Sequence, residues 1–180
     1  MTYQQLKELN KNRELKQVAF VTSDIDKAVK QWVDILGIGP WKILEFTDQT
    51  LRDFEVGGIR QIEPFKFMVA LCDVGHMNIE IIQPVYGTTI YQSYVNKHGE
   101  GLHHIKEKIC PEKLDETLEK YAAMGISVLQ TGWYRNDVHY YLDTQPVLNF
   151  IFEIGNCPAI ELEPGSVRYY PSREEVAEYE

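Results

Sequence analysis

The chain opens on a polar stretch and first turns apolar at Val18-Ala19-Phe20-Val21, a run rich in β-favouring residues. Its period of two predicts a strand over 17–22 with Gln17, Ala19 and Val21 on one face. Ser23-Asp24 then supplies a helix N-cap, and Ile25, Ala28, Val29, Trp32 and Leu36 recur at helical spacing until Gly37 stops the run. After the turn GIGPW, strands are expected over 41–46, 65–71 and 78–82, so the first half reads β-α-β-β-β. Residues 88–98 put Ile90, Tyr91, Tyr94 and Val95 on one helical face and form a connector that ends at Gly99.

The order then repeats. A strand is expected over 103–109, and a helix over 111–124 with Pro111 in its first turn and Leu114, Leu118, Tyr121 and Ala122 facing inward. Gly125 stops that helix, and strands follow over 126–130, 138–142 and 149–154. LGIGPW in the first half is echoed by MGISVLQTGW in the second. The expected organisation is one domain over 1–180: module one at about 15–85, the connector helix at about 88–98, module two at about 101–155 and an acidic tail at 165–180.

Candidate chemistry gathers at Gly99-Glu100-Gly101-Leu102-His103-His104-Ile105, where two glycines turn the chain and deliver His104 into a strand. Gln17, Glu80 and Glu153 hold comparable places in three other strands, so four side chains could form a cup. An amide oxygen, an imidazole and two carboxylates make a mixed N/O donor set of charge −2, suited to Mn, Co, Ni, Zn or Mg. Taken singly, each strand glutamate is an ordinary solvated residue. Alternation sends His103 to the opposite face from His104, and His76, His98 and His139 carry no assigned role. Lys106 shares the face of His104. It reads either as an anion stabiliser, or a base if burial lowers its pKa, or as a lysine reaching to the mouth of the cup.

Composition narrows the partners. Eighteen Lys and Arg against 27 Asp and Glu give a formal charge of −9, which opposes binding to nucleic acid or to an anionic membrane surface. Cys72, Cys110 and Cys157 form no C-x-x-C pair and no disulfide framework, a pattern that fits a reducing cytoplasm. MTYQQLKELNKNRELK lacks the apolar core of a signal peptide, and no run approaches the roughly 20 apolar residues of a bilayer span. A cytoplasmic protein with a small-molecule substrate is expected.

VAFVTSDIDKAVKQWVDILGIGPW, IEIIQP, GEGLHHI and YLDTQPVLNFIFEI, in this order, resemble the vicinal oxygen chelate superfamily over about residues 15–155, and within it the methylmalonyl-CoA epimerase-like branch. The superfamily includes glyoxalase I, extradiol dioxygenases and bleomycin-resistance proteins. The resemblance implies an α+β fold in which two βαβββ modules form a half-open barrel around one divalent metal ion. It implies Gln17, Glu80, His104 and Glu153 as the metal ligands, and a homodimer. Glu161 in IELEPG is an alternative fourth ligand. Glu153 is favoured because YLDTQPVLN precedes it and because 63 positions then separate Gln17 from Glu80 and 49 separate His104 from Glu153.

The chemistry implied is that of an epimerase or racemase moving a proton on a carbon next to a ketone or thioester, through a metal-stabilised enolate. Glu153, Glu80 and Lys106 are the catalytic candidates, with Glu63 as a further possible base. A glyoxalase I-like lyase acting on a hemithioacetal is one alternative. Against it, the arginine and asparagine expected for glutathione are replaced by Val21 and Pro84. A non-catalytic small-molecule or drug binder is the other. Glutamine at the first ligand position speaks against oxygenase chemistry, for which the extradiol enzymes use two histidines and a carboxylate.

Overall fold

The structure is a computed structural model that describes residues 1–162 and 165–172. Eleven strands make one sheet in the order β11-β2-β5-β6-β1-β7-β10-β9-β8-β3-β4. Module one supplies β1 (Glu14–Val21), α2 (Ile25–Leu36), β2 (Trp41–Thr47), β5 (Lys66–Val74) and β6 (Met77–Tyr86). Module two supplies β7 (Gly101–Lys108), α4 (Leu114–Ala123), β8 (Val128–Tyr134), β9 (Asp137–Leu142) and β10 (Ile151–Gly155). Each module has the same pairing, its first strand parallel to its last, and the two join where β1 runs antiparallel to β7. This is the α+β architecture of paired βαβββ units.

Burial separates the two sheet faces. On the convex side of module one, α2 lays Ile25 and Val29 against Trp41, Ile43, Ala70 and Ile81. Asp24 caps the helix by accepting from Lys27 N–H, and Gly37 ends it at φ 65°. On the convex side of module two, Leu114 packs with Val138, Leu142, Phe152 and Ile154. The third cluster lines the concave side: Ala19, Val21, Phe67, Val69, Ile82, Tyr141 and Ile151, with Ile90 and Tyr91 from the connector helix α3 (Ile90–His98) closing one end. Inward positions of β1, β5, β6, β9 and β10 thus lead into one cup.

Several elements differ from the sequence expectation. The polar amino terminus forms α1 (Tyr3–Asn10), started by a Thr2/Gln5 capping box and burying none of its residues. Between β2 and β5 the chain inserts a hairpin, β3 (Leu51–Val56) and β4 (Ile59–Arg60), turning on Gly57 and Gly58, both at positive φ. β3 pairs with β8 of module two, so the hairpin crosses from one rim of the cup to the other. In the tail, β11 (Arg168–Tyr170) pairs with β2, while residues 173–180 lie outside the described residues. The helix of module two begins as a short 3-10 turn over Pro111–Lys113, and Ala122 is exposed rather than inward. Among the described residues no helix is long and apolar enough to cross a membrane.

Candidate functional site

Strand register brings the four sequence candidates together at the floor of the cup. Gln17 on β1 and His104 on β7 sit on the antiparallel pair at the module junction; Glu80 on β6 and Glu153 on β10 flank that pair from either side. His104 Nε2 is the hub. It stands 3.4 Å from Gln17 Oε1, 3.2 Å from Glu80 Oε2 and 2.8 Å from Glu153 Oε2. His104 is fully buried and Glu153 nearly so, while Glu80 keeps 12% of its side chain open. Glu161, by contrast, is exposed, and so is Glu63, in the turn before β5. Neither lines the cavity above the four donors.

One N–H can point at only one acceptor, so three oxygens around a single nitrogen leave a surplus of negative density. Glu80 Oε2 and Glu153 Oε2 are accordingly buried without an aligned hydrogen bond. A divalent cation answers that surplus, and the spacing fits it. An ion about 2.1 Å from each donor sets neighbouring donors about 3.0–3.4 Å apart. The Glu80 and Gln17 separations already match, and the His104–Glu153 contact has to open slightly. Among the described residues no three His, Cys, Asp or Glu side chains already stand in a metal-holding arrangement.

The electrostatics point the same way. Burial alone pulls the His104 imidazole down, but Glu153 and Glu80 outweigh it and hold it up, to about 9. Without an ion His104 is therefore a proton-bearing stand-in for one. Its other nitrogen, Nδ1, lies 3.0 Å from Nδ1 of His103. Burial, with the neighbouring His104 charge, drives His103 well below its ordinary value, so His103 is neutral and accepts the His104 Nδ1–H. This bond fixes the tautomer that leaves Nε2 free for the site. The expectation that His103 alternates away from the cup is overturned by a β-bulge. Ala19 pairs with His104 but Phe20 pairs with Leu102, so His103 is the extra residue and packs among Tyr91, Tyr94 and Tyr141 behind the hub.

Lys106 faces the cup, but its ammonium does not reach into solvent. Nζ lies 2.9 Å from Glu153 Oε1 and 3.6 Å from Asp137 Oδ2. Burial lowers its pKa, yet Glu153 and Asp137 together raise it well above the ordinary lysine value, so the group stays charged and is no base in this state. The same pairing, added to that with His104, holds Glu153 well below the carboxylate range against its burial. Gly155 makes the room: a Cβ there would come within 3.1 Å of Lys106 Cε and 2.4 Å of the Val138 carbonyl oxygen.

Above the donors is a cavity of about 500 Å³, walled by Phe46, Phe67, Tyr134, Tyr141 and neighbouring aliphatics and crossed at one side by the segment 158–160. Three of its residues carry functional atoms that the sequence reading passed over: Asp137, His139 and Tyr141, alternate positions of β9. His139 Nε2 is shut off from water without a partner, and burial pulls its pKa down to about 4, leaving it neutral. The period-two spacing DVHYYL, set opposite the Glu153 strand, was the available signal.

The comparisons agree with this fold. The Glyoxalase/Bleomycin resistance protein/Dioxygenase superfamily model matches residues 16–141. A hypothetical protein of Bacillus halodurans superposes with TM-score 0.62 at 15% identity, over 85% of this chain and 100% of its own. Methylmalonyl-CoA epimerase from Mycobacterium tuberculosis gives 0.51 at 17% identity, over 79% and 86%. The Streptomyces coelicolor methylmalonyl-CoA epimerase in complex with 2-nitronate-propionyl-CoA gives 0.54 at 14%, over 83% and 97%. At these identities the likeness is one of fold. No curated protein matches the chain in sequence. Since the family model covers well over half of the chain, the protein belongs to the glyoxalase/bleomycin resistance protein/dioxygenase superfamily.

Proposed function

We propose that the protein is a metal-dependent isomerase that removes and returns a proton on a carbon next to a carbonyl group, an epimerase or racemase. The observation that carries this reading is the hub: three oxygens from three strands within 3.4 Å of His104 Nε2, two of them buried carboxylate oxygens without aligned partners. A divalent ion held by Gln17, Glu80, His104 and Glu153 supplies Lewis acidity that makes the neighbouring carbon–hydrogen bond acidic.

The chain's own residues divide the remaining work. Glu80 and Glu153 flank the hub from opposite modules, which is the disposition that proton removal on one face and return on the other requires. They are not equivalent. Both Glu153 oxygens are engaged, by Lys106 and His104, whereas Glu80 is paired with His104 alone among the described residues and keeps an opening to the cavity. Glu80 is therefore the better proton acceptor, and Lys106 holds Glu153 charged and in position. A positioned base of this kind contributes about 10²–10⁴-fold. The test is incubation in deuterated water with acyl-CoA thioesters, chiral α-substituted ketones and a glutathione hemithioacetal. Divalent-ion-dependent deuterium incorporation with loss of optical purity is expected for a thioester or ketone. Turnover of the hemithioacetal alone would assign a lyase, and binding without any turnover a carrier.

A further inference from the structure

The walls of the cavity hold information that proton transfer itself does not use. Phe46 on β2 and Phe67 on β5 lie with ring centroids 5.3 Å apart and planes 14° from parallel, and Tyr134 on β8 meets Phe46 edge-on at 4.9 Å. Phe46 and Tyr134 are half-buried, and both line the cavity. Phe67 is buried, stacked on Phe46 and near-parallel to Phe65, so the aromatic surface left to the cavity is chiefly that of Phe46 and Tyr134, a wall that favours another aromatic ring against it.

The charges of the cavity speak to the rest of the substrate. Four carboxylates, Asp73, Glu80, Asp137 and Glu153, line it against two ammonium groups. Both ammonium groups are committed, Lys42 at 3.2 Å from Asp73 and Lys106 to Glu153 and Asp137. A recess beyond the 157–159 segment is lined by Lys16 and Lys108; Lys16 is paired with Glu14 at 2.6 Å, Lys108 lies within the electrostatic reach of the same Glu14, and Asp73 and Asp137 face the same recess. A nucleotide-bearing thioester brings several phosphate charges, each of which calls for an uncommitted cation or donor.

We infer that the substrate is a neutral, flat, ring-bearing ketone, its ring against Phe46 and Tyr134 and its carbonyl toward the four donors, rather than a nucleotide-linked thioester. The inference rests on the proton-transfer reading of the site and adds the substrate class to it. In the exchange, the α-carbon loses its proton to a site carboxylate and regains one from the same pool, with no net oxidation.

The experiment compares three probes in deuterated water with the cobalt- or magnesium-loaded protein: resolved α-methyltetralone, an open-chain α-methyl ketone and an α-methylacyl-CoA thioester. Deuterium incorporation is followed by NMR. The tetralone is expected to exchange with kcat/KM about tenfold or more above either other probe. Phe46→Leu keeps apolar volume but removes the ring. It should fold, bind the ion with the stoichiometry of the parent protein, and lose most of the preference for the tetralone over the open-chain ketone. A thioester or open-chain ketone that exchanges as fast as the tetralone, or a ring preference that survives Phe46→Leu, would overturn the substrate class while leaving the proton-transfer reading intact. Absence of ion-dependent exchange with all three probes would instead remove that reading, and the inference with it.

Discussion

His104 meets different partners at its two nitrogens, a neutral imidazole at Nδ1 and three oxygens at Nε2. If His103 holds the tautomer, His103→Phe, which keeps a ring among the tyrosines but accepts no proton, should weaken divalent-ion affinity about 10–100-fold with little change in fold; calorimetric titration of the ion checks it. The same titration carries a pH signature. Because the ion-free imidazole holds its proton up to about 9, binding near neutral pH must expel it. Affinity should thus rise with pH below that value and level off above it, and heats measured in buffers of different ionisation enthalpy should reveal about one proton released. Lys106→Met strands the buried Glu153 carboxylate and should cost about 3–5 kcal/mol in urea unfolding, part of it recovered by adding the ion. Glu161→Gln, at an exposed position, should stay within about 0.5 kcal/mol of the parent. Gln17, Glu80, His104 and Glu153 were named on the resemblance to the superfamily, since a single polar residue on a strand is by itself an ordinary solvated one; strand register is what brings their side chains together. The Lys106–Glu153–Asp137 group could not be read from sequence, since a pairing between strands thirty or more residues apart depends on register, which alternation alone does not set.

The elements that escaped the sequence are those where alternation breaks. In β3 the buried residues are Leu51 and Phe54, three apart, because an irregularity between Arg52 and Glu55, with Asp53 at φ 51°, resets the pleat. The bulge at His103 does the same in β7. β5, β6 and β9 were legible as strands because each is a run rich in apolar and β-favouring residues. α1 escaped for another reason: it is polar on average and buries nothing, so only the Thr2/Gln5 cap marks it. At the opposite extreme, β10 is buried along its whole length, and Gly155 is where β9 approaches closest. Gly155→Ala should destabilise by about 1–3 kcal/mol, seen in thermal or urea unfolding, and should push Lys106 off Glu153.

At the scale of the molecule, three apolar clusters fill the spaces under α2, under α4 and inside the cup, and all three are built without the four donors. Stripping the ion with a chelator should therefore abolish exchange while leaving the far-ultraviolet circular dichroism unchanged; Glu80→Ala should behave likewise. The overall architecture was legible because the β-α-β-β-β order occurs twice, but the closing of the rims was not. That depends on β3, which belongs to module one by sequence and to module two by pairing. A strand lent in this way also behaves as a tether that needs no peptide bond. If the chain were cut in the exposed loop at residues 87–88, the two fragments should remain one particle, the first complementing the second with its hairpin at one rim and with β1 at the junction.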